Sequence, residues 1–350
     1  MELRWTVQIL TLRTPFRTAH GGSDTRRNVI VSVEQQGQIG WGEAAGLSYH
    51  GESEAGILAH LQRAAPVLAS VAEPLDSEAA LDAVLDRLPE GSRAATAALD
   101  LALHDLWGRH QGLPLYRLLG LDPGQAPNTS FTVGLDTPDA MARRAAASGL
   151  PLLKLKLGGD DDEAIVAAVR DACPDATLRV DANAGWSRER AAALIPHLAR
   201  HGLEFVEQPL AADDVDGLRR LRGLGLGVPI YADESVRTAD DVTRLAGAVD
   251  GVVIKLMKCG GLRAARRAIA AARAGGMRVM IGCMIESSVG VTAAAHLAPL
   301  CDEADLDGPL LVTDDPFRGV GYSGARLRLP DGPGLGVTPR VTPRNVDFMA

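Results

Sequence analysis

The chain has 350 residues, of which 46% are hydrophobic and 23% are charged, a composition typical of a globular protein. This length exceeds what a single core usually supports, so one large and one smaller domain are expected. The 44 Asp and Glu residues outnumber the 36 Lys and Arg residues, and the resulting net charge of −8 argues against nucleic acid as a partner. No charge-free apolar run is long enough for a membrane-spanning helix, so no membrane partner is expected.

The sequence predicts a cytoplasmic location. Glu2, Arg4 and Arg13 interrupt the stretch that would form the apolar part of a secretory signal. The four cysteines are scattered without a C-x-x-C pair, so they form neither a disulfide framework nor a zinc site. Both features fit a protein that works in a reducing compartment.

The first part of the chain predicts an α+β domain. Residues 2–12, 28–35 and 38–43 alternate or run β-branched and apolar, which is typical of strands in an antiparallel sheet. A helical pattern follows, and it is clearest between Ser92, which can cap a helix, and Gly112, which can end one. Strands followed by helices favour this class of domain.

Beyond a Pro- and Gly-rich stretch at 121–124, short β-like runs alternate with segments that mostly show helical periodicity. Eight such units favour an α/β fold of the (β/α)-barrel type, which typically takes ~250 residues. An open doubly wound sheet would show the same alternation, but no G-x-G-x-x-G motif follows a strand to support its dinucleotide-binding form. The eight runs are 129–133, 152–157, 177–180, 203–206, 229–231, 251–254, 278–281 and 306–312.

These patterns divide the chain into three parts. Residues 1–124 form the predicted α+β domain, and residues 125–321 form the predicted barrel. Residues 322–350 are rich in Pro and Gly and have no helical pattern, and we expect them to pack back on the N-terminal domain.

Ionisable residues stand at or near the ends of the predicted barrel strands, where the catalytic groups of a barrel lie. From Lys156, the steps to the next four such groups are 25, 26, 26 and 22 residues. One ionisable group per strand–helix unit, at the same position in each unit, is not expected of ordinary solvent-exposed charged residues. The residues are Lys154, Lys156, Asp181, Glu207, Asp233, Lys255, Asp305 and Asp307.

Asp181, Glu207 and Asp233 follow three consecutive predicted strands. Neighbouring strands lie about 4.8 Å apart, so three carboxylates at equivalent heights would repel one another unless a cation neutralised them. Convergent carboxylate oxygens suit Mg²⁺, which keeps water ligands and leaves positions for a substrate oxygen. Each residue alone could be an ordinary strand-end or helix-capping residue, but their common phase predicts a single Mg²⁺ site.

Lys154 and Lys156 alternate with leucines, so the two lysines share one face of their strand. Because the leucines would meet the outer helices, the lysines are expected to point into the barrel mouth. Burial and a neighbouring cation would lower the pKa of such an amine, and nearby carboxylates would oppose that change. Lys255 lies four strands further round, so its amine and that of Lys156 would stand on opposite sides of a bound molecule.

Two bases on opposite sides of a substrate predict a specific chemistry. A hydrogen next to a carboxylate is very weakly acidic, and its removal creates an enediolate whose charge a divalent cation stabilises. One base removes the proton, and the second returns a proton to the other face. The arrangement therefore predicts racemisation or epimerisation.

The motifs KLK, DANAGW, VEQP, ADES and IKLMKCGG, in this order and spacing, resemble those of the enolase superfamily, muconate-lactonising subgroup. The resemblance covers essentially the whole chain and includes WGEA, ALDLALHDLWG and GCMIESSVG. It implies a modified (β/α)₇β TIM-like barrel with an N-terminal α+β capping domain. It also implies one Mg²⁺ on the three carboxylates, Lys156 and Lys255 as the acid/base pair, and Lys154 close to the substrate carboxylate.

Asp305 and Asp307 resemble the Asp-x-Asp pair with which dipeptide epimerases of this subgroup bind the free α-ammonium group of the substrate. The physical argument agrees, because alternate residues on a strand share a face and two carboxylates form a cation site. By the same matching, Thr132, Cys283 and Ile285 would line the substrate pocket, although ordinary barrel lining would explain them equally well.

The resemblance implies a Mg²⁺-dependent dipeptide epimerase that inverts the α-carbon of the C-terminal residue, with L-Ala-D/L-Glu from cell-wall peptides as the leading substrate. The alternatives that use the same metal–enolate chemistry are o-succinylbenzoate synthesis, N-acylamino acid racemisation and muconate cycloisomerisation. A catalytically silent binding barrel is a further alternative, against which the intact lysines and carboxylates argue. A homo-oligomer is expected only because many barrels of this kind assemble.

The side-chain preference would depend on the cap. In enzymes of this type that act on Ala-Glu, a cation from the loop near residues 17–27 can meet the Glu side chain. This chain has His20 near the position where an arginine is expected, and Arg26 and Arg27 stand at the predicted start of a strand. His50 in a second loop is a further candidate, so the sequence only leans towards an acidic side chain.

Overall fold

The structure, a computed structural model, describes residues 1–46 and 51–340. Its N-terminal part contains an antiparallel sheet whose strands follow one another in chain order, as the sequence predicts. The strands are β1 (Glu2–Thr18), β2 (Gly21–Gln35) and β3 (Gln38–Ala44).

The β1–β2 hairpin is longer than its apolar pattern predicts. After one bulge, pairing continues to Thr18 opposite Gly21, whereas the sequence predicted strands only over 2–12 and 28–35. The residues of this outer part are mostly exposed, so no apolar alternation marks them. The tip of the hairpin touches the barrel, because a Cβ added at Gly158 would lie 2.8 Å from the Cβ of Ala19.

In the described part of the N-terminal domain, four helices accompany the sheet, and the third is buried over most of its length. It confirms the predicted helix: the Ser92 hydroxyl accepts a hydrogen bond from the N–H of Ala95 at 3.0 Å, and the chain leaves the helix at Gly112 with φ at +65°. The helices are α1 (Glu54–Ala69), α2 (Glu78–Leu85), α3 (Arg93–Gln111) and α4 (Leu115–Leu118).

Small residues allow β3 to approach α3 closely. A Cβ added at Gly42 would lie 1.9 Å from the carbonyl oxygen of Ala98, and one added at Gly40 would lie 2.0 Å from that of Ala102. These distances are far below van der Waals contact, so the two glycines are required by packing. The WGEA and ALDLALHDLWG segments therefore form a single packed unit.

The second part of the chain forms eight parallel strands, each paired with the next in sequence. A bridge between Thr129 and Ala304, with the N–H of Ser130 donating to the carbonyl of Ala304 at 3.1 Å, brings the first and last strands together, so the barrel is nearly closed. The strands are β4 (Phe131–Val133), β5 (Leu152–Lys156), β6 (Thr177–Asp181), β7 (Leu203–Glu207), β8 (Ile230–Ala232), β9 (Gly251–Lys255), β10 (Arg278–Gly282) and β11 (Glu303–Asp305).

Helices connect the barrel strands, which confirms the TIM-like α/β barrel with an N-terminal capping domain. Within the described ranges, no helix is both long and apolar enough to cross a membrane. The helices are α5 (Pro138–Ser148), α6 (Asp162–Ala172), α7 (Arg188–Ala199), α8 (Val215–Gly223), α9 (Ala239–Leu245), α10 (Leu256–Cys259), α11 (Leu262–Ala274), α12 (Ser288–Leu297) and α13 (Gly308–Leu311).

The predicted eighth strand at 306–312 is wrong. The strand is β11, which ends at Asp305, and the apolar run that follows contains the short helix α13. The strand was missed because its side chains are polar inside the barrel: Glu303 accepts a hydrogen bond from the Tyr231 hydroxyl at 3.0 Å. Pro309 stands at the start of α13, where its fixed φ suits a helix.

The last described residues contact both domains. The N–H of Leu115 in α4 donates to the carbonyl of Gly334 at 2.8 Å, and the N–H of Leu335 donates to the Asp105 carboxylate in α3 at 2.7 Å. His296 in α12 contacts the carbonyl of Leu335 at 3.2 Å. Residues 341–350 lie outside the described residues. The strands of this segment are β12 (Phe317–Arg318), β13 (Gly321–Ser323), β14 (Arg326–Arg328) and β15 (Thr338–Pro339).

Buried carboxylates of the cap bind the N-termini of two barrel helices. Asp100 accepts a hydrogen bond from the N–H of Leu262, the first residue of α11, at 2.6 Å. Glu43 accepts from the N–H groups of Ser287 and Gly290 at 2.9 and 3.0 Å, at the start of α12. A helix N-terminus carries unpaired N–H groups and a partial positive charge, so both contacts fix the cap on the barrel.

Glu286 is a further buried carboxyl group at this boundary. It accepts a hydrogen bond from the N–H of Met284 at 2.7 Å. Burial, followed by the nearby charge of Glu43, raises the pKa of Glu286 to about 8. At neutral pH the group is therefore mostly protonated, which avoids two adjacent buried negative charges.

The contact between β3 and α3 can be tested with a single methyl group. We expect Gly42→Ala to lower the free energy of unfolding by about 2–3 kcal/mol, a typical cost of overpacking, because the obstructing atom belongs to the helix backbone. Gly223→Ala is the control, since its Cβ would meet no atom within 4 Å at the end of α8. Its effect should stay within about 1 kcal/mol. If urea unfolding showed the same loss of unfolding free energy for Gly42→Ala and Gly223→Ala, the packing argument would be contradicted.

Glu286→Gln should remove a pH-dependent loss of stability. The folded carboxyl group keeps its proton to about pH 8, whereas the ordinary value is 4.5, so wild-type stability falls as the pH rises between these values. The loss would be up to roughly 1.4 kcal/mol per pH unit. Because Gln cannot ionise, the variant lacks this loss. The unfolding free energy of Glu286→Gln relative to that of the wild type should therefore increase from pH 5 to pH 8. A difference that does not change with pH would show that Glu286 ionises normally.

Candidate active site

The polar residues that end the barrel strands meet at one end of the barrel. Lys156 pairs with Asp181 across β5 and β6, and Asp181 pairs with Glu207 across β6 and β7. Asp233 directly follows β8. One carboxylate oxygen from each of the three acids lies within 4.8 Å of the others, and all three side chains are fully buried, so this group could hold a metal ion.

Burial and local charge give these three carboxyl groups different pKa values. Burial raises the pKa of Glu207 well above its usual range, and the charge of Asp181 adds to this effect. Burial also opposes ionisation of Asp181 and Asp233, but neighbouring lysines outweigh it. The ammonium groups of Lys156 and Lys154 lower the pKa of Asp181, and those of Lys255 and Lys258 hold the pKa of Asp233 well below its usual range.

Lys154 is the central counter-charge of the site. Its Nζ lies 2.8 Å from Glu207 Oε1, 2.9 Å from Asp305 Oδ2 and 3.3 Å from Asp181 Oδ2. Burial acts to lower the pKa of this amine, but the carboxylates overcome it and raise the pKa well above the usual value. Of the two opposing effects that the sequence predicts for the pKa of Lys154, that of the nearby carboxylates therefore prevails.

Lys156 and Lys255 stand on opposite sides of the site, as their spacing predicts. Lys156 Nζ lies 2.6 Å from Asp181 Oδ2, and Lys255 Nζ lies 2.7 Å from Asp233 Oδ2. Their strands, β5 and β9, are separated by three strands of the barrel. Both side chains line the same cavity, so a molecule held between them would have an amine on each side.

Sequence reasoning missed Lys258. Its buried ammonium group donates to the carboxylate and to the backbone carbonyl of Asp233, and to the carbonyl of Val253 at 3.2 Å. One signal could have identified it. The chain contains only four lysines, and all four lie in this site; the other 32 of its 36 Lys and Arg residues are arginines. They are Lys154, Lys156, Lys255 and Lys258.

Two neutral side chains, also missed, hold the acids in place. The Asn183 amide donates to Asp181 at 3.2 Å and to Glu234 at 3.1 Å, and the Gln208 side-chain oxygen accepts from the N–H of Asp233 at 2.8 Å. Both residues have left-handed backbone conformations, with φ at +45° and +36°. Such strain in residues other than glycine is typical of functional sites.

Asp305 and Asp307 come together, but not as neighbours on one face of a strand. Asp305 ends β11, whereas Asp307 precedes the first turn of α13, so the expectation of a shared strand face is wrong. Thr132 links them, because its N–H donates to Asp307 at 2.6 Å and its hydroxyl lies 3.3 Å from Asp305. Ser130, a further residue that the sequence did not single out, donates its hydroxyl to Asp305 at 2.6 Å.

These two acids also differ in pKa. Burial opposes ionisation of Asp305, but the Lys154 ammonium group and the Ser130 hydrogen bond lower its pKa. Burial and the charge of Asp305 raise the pKa of Asp307 to about 7. The pair therefore carries between one and two negative charges near neutral pH, which suits a cationic ligand.

The cavity between the cap and the barrel has a volume of about 240 Å³. Lys154 is fully buried and is not part of its lining, whereas the predicted pocket residues Thr132, Cys283 and Ile285 are. The cap contributes the outer wall through the β1–β2 hairpin. The main polar and apolar residues of the lining are Phe16, His20, Arg26, Asn28, Thr132, Lys156, Asn183, Lys255, Cys283, Ile285, Asp305 and Asp307.

The two neighbouring arginines of β2 point in different directions. Arg26 lines the cavity, whereas Arg27 pairs with Glu54 at 2.8 Å in an exposed position. His20 lies at the tip of the hairpin and also lines the cavity. His50, the candidate from the second loop, lies outside the described residues.

Two family models match the chain. Residues 1–120 match the Mandelate racemase / muconate lactonizing enzyme, N-terminal domain, and residues 137–342 match the Enolase C-terminal domain-like family. A curated relative, the L-Ala-D/L-Glu epimerase of Bacteroides thetaiotaomicron, is 39% identical over 331 residues, which cover 94% of this chain and 85% of that protein.

Solved structures agree with this assignment. The substrate-liganded complex of the L-Ala-D/L-Glu epimerase from Bacillus subtilis has a TM-score of 0.90 and 35% identity, covering 97% of this chain and 99% of that chain. The dipeptide epimerase from Cytophaga hutchinsonii, complexed with Mg and the dipeptide D-Ala-L-Val, has a TM-score of 0.91 and 30% identity, covering 99% and 98%. The match extends over both the cap and the barrel, so the chain belongs to the enolase superfamily, in the group of mandelate racemase and muconate lactonizing enzyme.

Proposed function

We propose that the protein is a Mg²⁺-dependent dipeptide epimerase that inverts the α-carbon of the C-terminal residue, with L-Ala-D/L-Glu as the leading substrate. One observation carries the proposal. Lys156 and Lys255 enter a single cavity from opposite sides, and the same cavity contains Asp305 and Asp307. Two amines suit proton transfer on both faces of a carbon atom, and two acids suit a free ammonium group.

The relatives support the same chemistry. The relative from Bacteroides thetaiotaomicron carries the name of an L-Ala-D/L-Glu epimerase, and the structure from Cytophaga hutchinsonii contains both Mg and a dipeptide. The identity of 39% over nearly the whole chain makes a shared reaction the natural starting point.

Asp181, Glu207 and Asp233 would hold the metal ion. Their oxygens converge within 4.8 Å in a fully buried position, and three hard carboxylate ligands fit Mg²⁺. The lysine ammonium groups that surround these acids fit a site that requires positive charge. When bound, Mg²⁺ would supply positive charge next to the substrate carboxylate and so favour the loss of the neighbouring proton.

Lys156 and Lys255 would move the proton. One lysine, with a neutral Nζ, takes the α-proton, and the electron pair of the broken C–H bond passes into the substrate carboxylate. The ammonium group of the other lysine then gives a proton from its Nζ to the opposite face of the same carbon. The configuration is inverted, and the number of protons on enzyme and substrate together does not change.

Asp305 and Asp307 would hold the α-ammonium group of the first residue. Asp307 has the raised pKa of about 7, so an approaching cation would favour its ionised form. Thr132 and Ser130 fix the two carboxyl groups through hydrogen bonds of 2.6 Å each. A substrate anchored here and at the metal would place its second α-carbon between the two lysines.

Arg26 supports the preference for an acidic side chain. It is the arginine of β2 that lines the cavity, and it comes from the cap, opposite the barrel residues that would bind the main chain of the substrate. A guanidinium group in this position would pair with a side-chain carboxylate.

The two-base mechanism predicts different losses for epimerisation and for exchange. In D₂O with Mg²⁺, the wild type should incorporate deuterium at the C-terminal α-carbon of L-Ala-L-Glu and of L-Ala-D-Glu. Lys156→Ala and Lys255→Ala should each lower epimerisation by at least about 100-fold. Each variant should keep exchange with only one of the two epimers, because one face of the carbon retains its base. Mass spectrometry and chiral chromatography measure the two outcomes.

Three results would contradict the proposal. Full epimerisation by either lysine variant would exclude the two-base mechanism. If no dipeptide exchanged deuterium, or if Asp307→Asn left the activity unchanged, a substrate without an ammonium group, such as an N-acylamino acid, would be favoured. Arg27→Met serves as a control for a change of charge outside the cavity.

The acidic preference predicts different effects for the two arginines. Arg26→Met should lower kcat/KM for L-Ala-L-Glu at least about tenfold, the usual size of a lost charge-assisted contact, and should leave that for L-Ala-L-Gln nearly unchanged. Arg27→Met should change neither value by more than about twofold, because an exposed ion pair contributes little. Equal losses with both dipeptides in Arg26→Met would show that this residue does not read the side chain.

A further inference from the structure

A second cavity adjoins the first one. Its volume is about 230 Å³, and it lies between β1, β4, α5 and α13. Three residues line both cavities and so form a common wall: Phe16, Thr132 and Leu311. Most of the remaining lining is apolar and includes Leu12, Phe131, Val133, Ala147 and Leu310.

The common wall lies next to the proposed ammonium site. Thr132 donates its N–H to Asp307 at 2.6 Å. Leu311 follows Asp307 by four residues in the turn of α13, where the N–H of Leu310 donates to the carbonyl of Asp307 at 2.8 Å. Residues four positions apart on a helix are neighbours, with about 6 Å between their Cβ atoms. Because the α-carbon of an amino acid carries both the ammonium group and the side chain, the first side chain of a bound dipeptide would begin beside this wall.

We propose that the second cavity is a subsite for the side chain of the first residue, so that the protein accepts dipeptides with a bulky apolar first residue in addition to alanine. The inference rests on the proposed function, since it requires an ammonium group at Asp305 and Asp307. An alanine methyl group stops at the wall. A leucine or phenylalanine side chain passes between Phe16 and Leu311 and buries apolar surface that alanine does not have.

The rim of the second cavity excludes cationic side chains. Arg13 lies at the rim and donates its Nε–H to the carbonyl of Leu310 at 3.0 Å. Arg144 lies on α5 and pairs with Asp136. A lysine side chain of the substrate, which is longer than that of leucine, would bring its charge towards these two guanidinium groups, although Arg144 is paired with Asp136.

The test compares three dipeptides that differ only in the first residue. We expect kcat/KM for L-Leu-L-Glu to lie within tenfold of that for L-Ala-L-Glu and at least tenfold above that for L-Lys-L-Glu. Ala147→Phe should then fill the second cavity from the side of α5 without touching the first cavity. It should lower kcat/KM for L-Leu-L-Glu at least tenfold and change that for L-Ala-L-Glu by less than twofold.

Ala146→Phe is the matched control, since Ala146 is exposed on the same helix and is not part of the cavity lining. The subsite is excluded if L-Leu-L-Glu is turned over more than tenfold less well than L-Ala-L-Glu, or if Ala147→Phe and Ala146→Phe behave alike. Turnover of L-Ala-L-Glu in the same experiment would leave the proposed function standing. If none of the three dipeptides exchanged deuterium, the proposed function itself would fail, and the subsite with it.

Discussion

The balance of buried charge at the mouth of the barrel is the constraint on which the rest of the site depends. Asp181, Glu207 and Asp233 are fully buried with their oxygens within 4.8 Å of one another, and in their ionised forms they require counter-charge. Four lysines provide this counter-charge. One of them, Lys154, contacts three carboxylates at once: Asp181, Glu207 and Asp305. The groups that stabilise this part of the barrel are therefore the same groups that would bind a metal ion and move protons.

The cap makes the cavity, and a second set of buried charges fixes the cap in place. Glu43 and Asp100 bind the N-termini of α12 and α11, and β3 packs closely against α3 within the cap. The β1–β2 hairpin then provides the outer wall with Phe16, His20 and Arg26. In the proposed reaction the barrel would carry the reacting groups, and the cap would limit which substrate side chains fit beside them. If the reacting groups and the groups that contact the substrate side chain lie in different domains, related proteins can share a reaction and differ in substrate.

Pattern and spacing predicted much of the fold. The eight-unit alternation predicted the barrel, and Ser92 and Gly112 predicted both ends of α3, because capping depends on local chemistry. The pattern failed where polar side chains are held by tertiary contacts. Strand β11 was missed because Glu303 and Asp305 face the barrel interior, and the outer hairpin was missed because its residues are mostly exposed. Both segments owe their conformation to pairing with another strand rather than to an apolar face.

The sequence by itself determined which residues end the barrel strands, since a constant phase places each of them at the same edge of the sheet. It therefore indicated the three acids and the two opposed lysines, whereas the Asp305–Asp307 pair was identified through its resemblance to an Asp-x-Asp motif. Only the tertiary structure decided how these groups are charged and what surrounds them. Lys154 has a raised pKa because three carboxylates converge on it, and Lys258 joins the site through a helix that follows β9. Arg26 and Arg27 point to opposite faces of their strand, and the packing of the hairpin places the face of Arg26 towards the cavity. Such properties arise from distances between segments far apart in the chain, and one-dimensional spacing does not specify those distances.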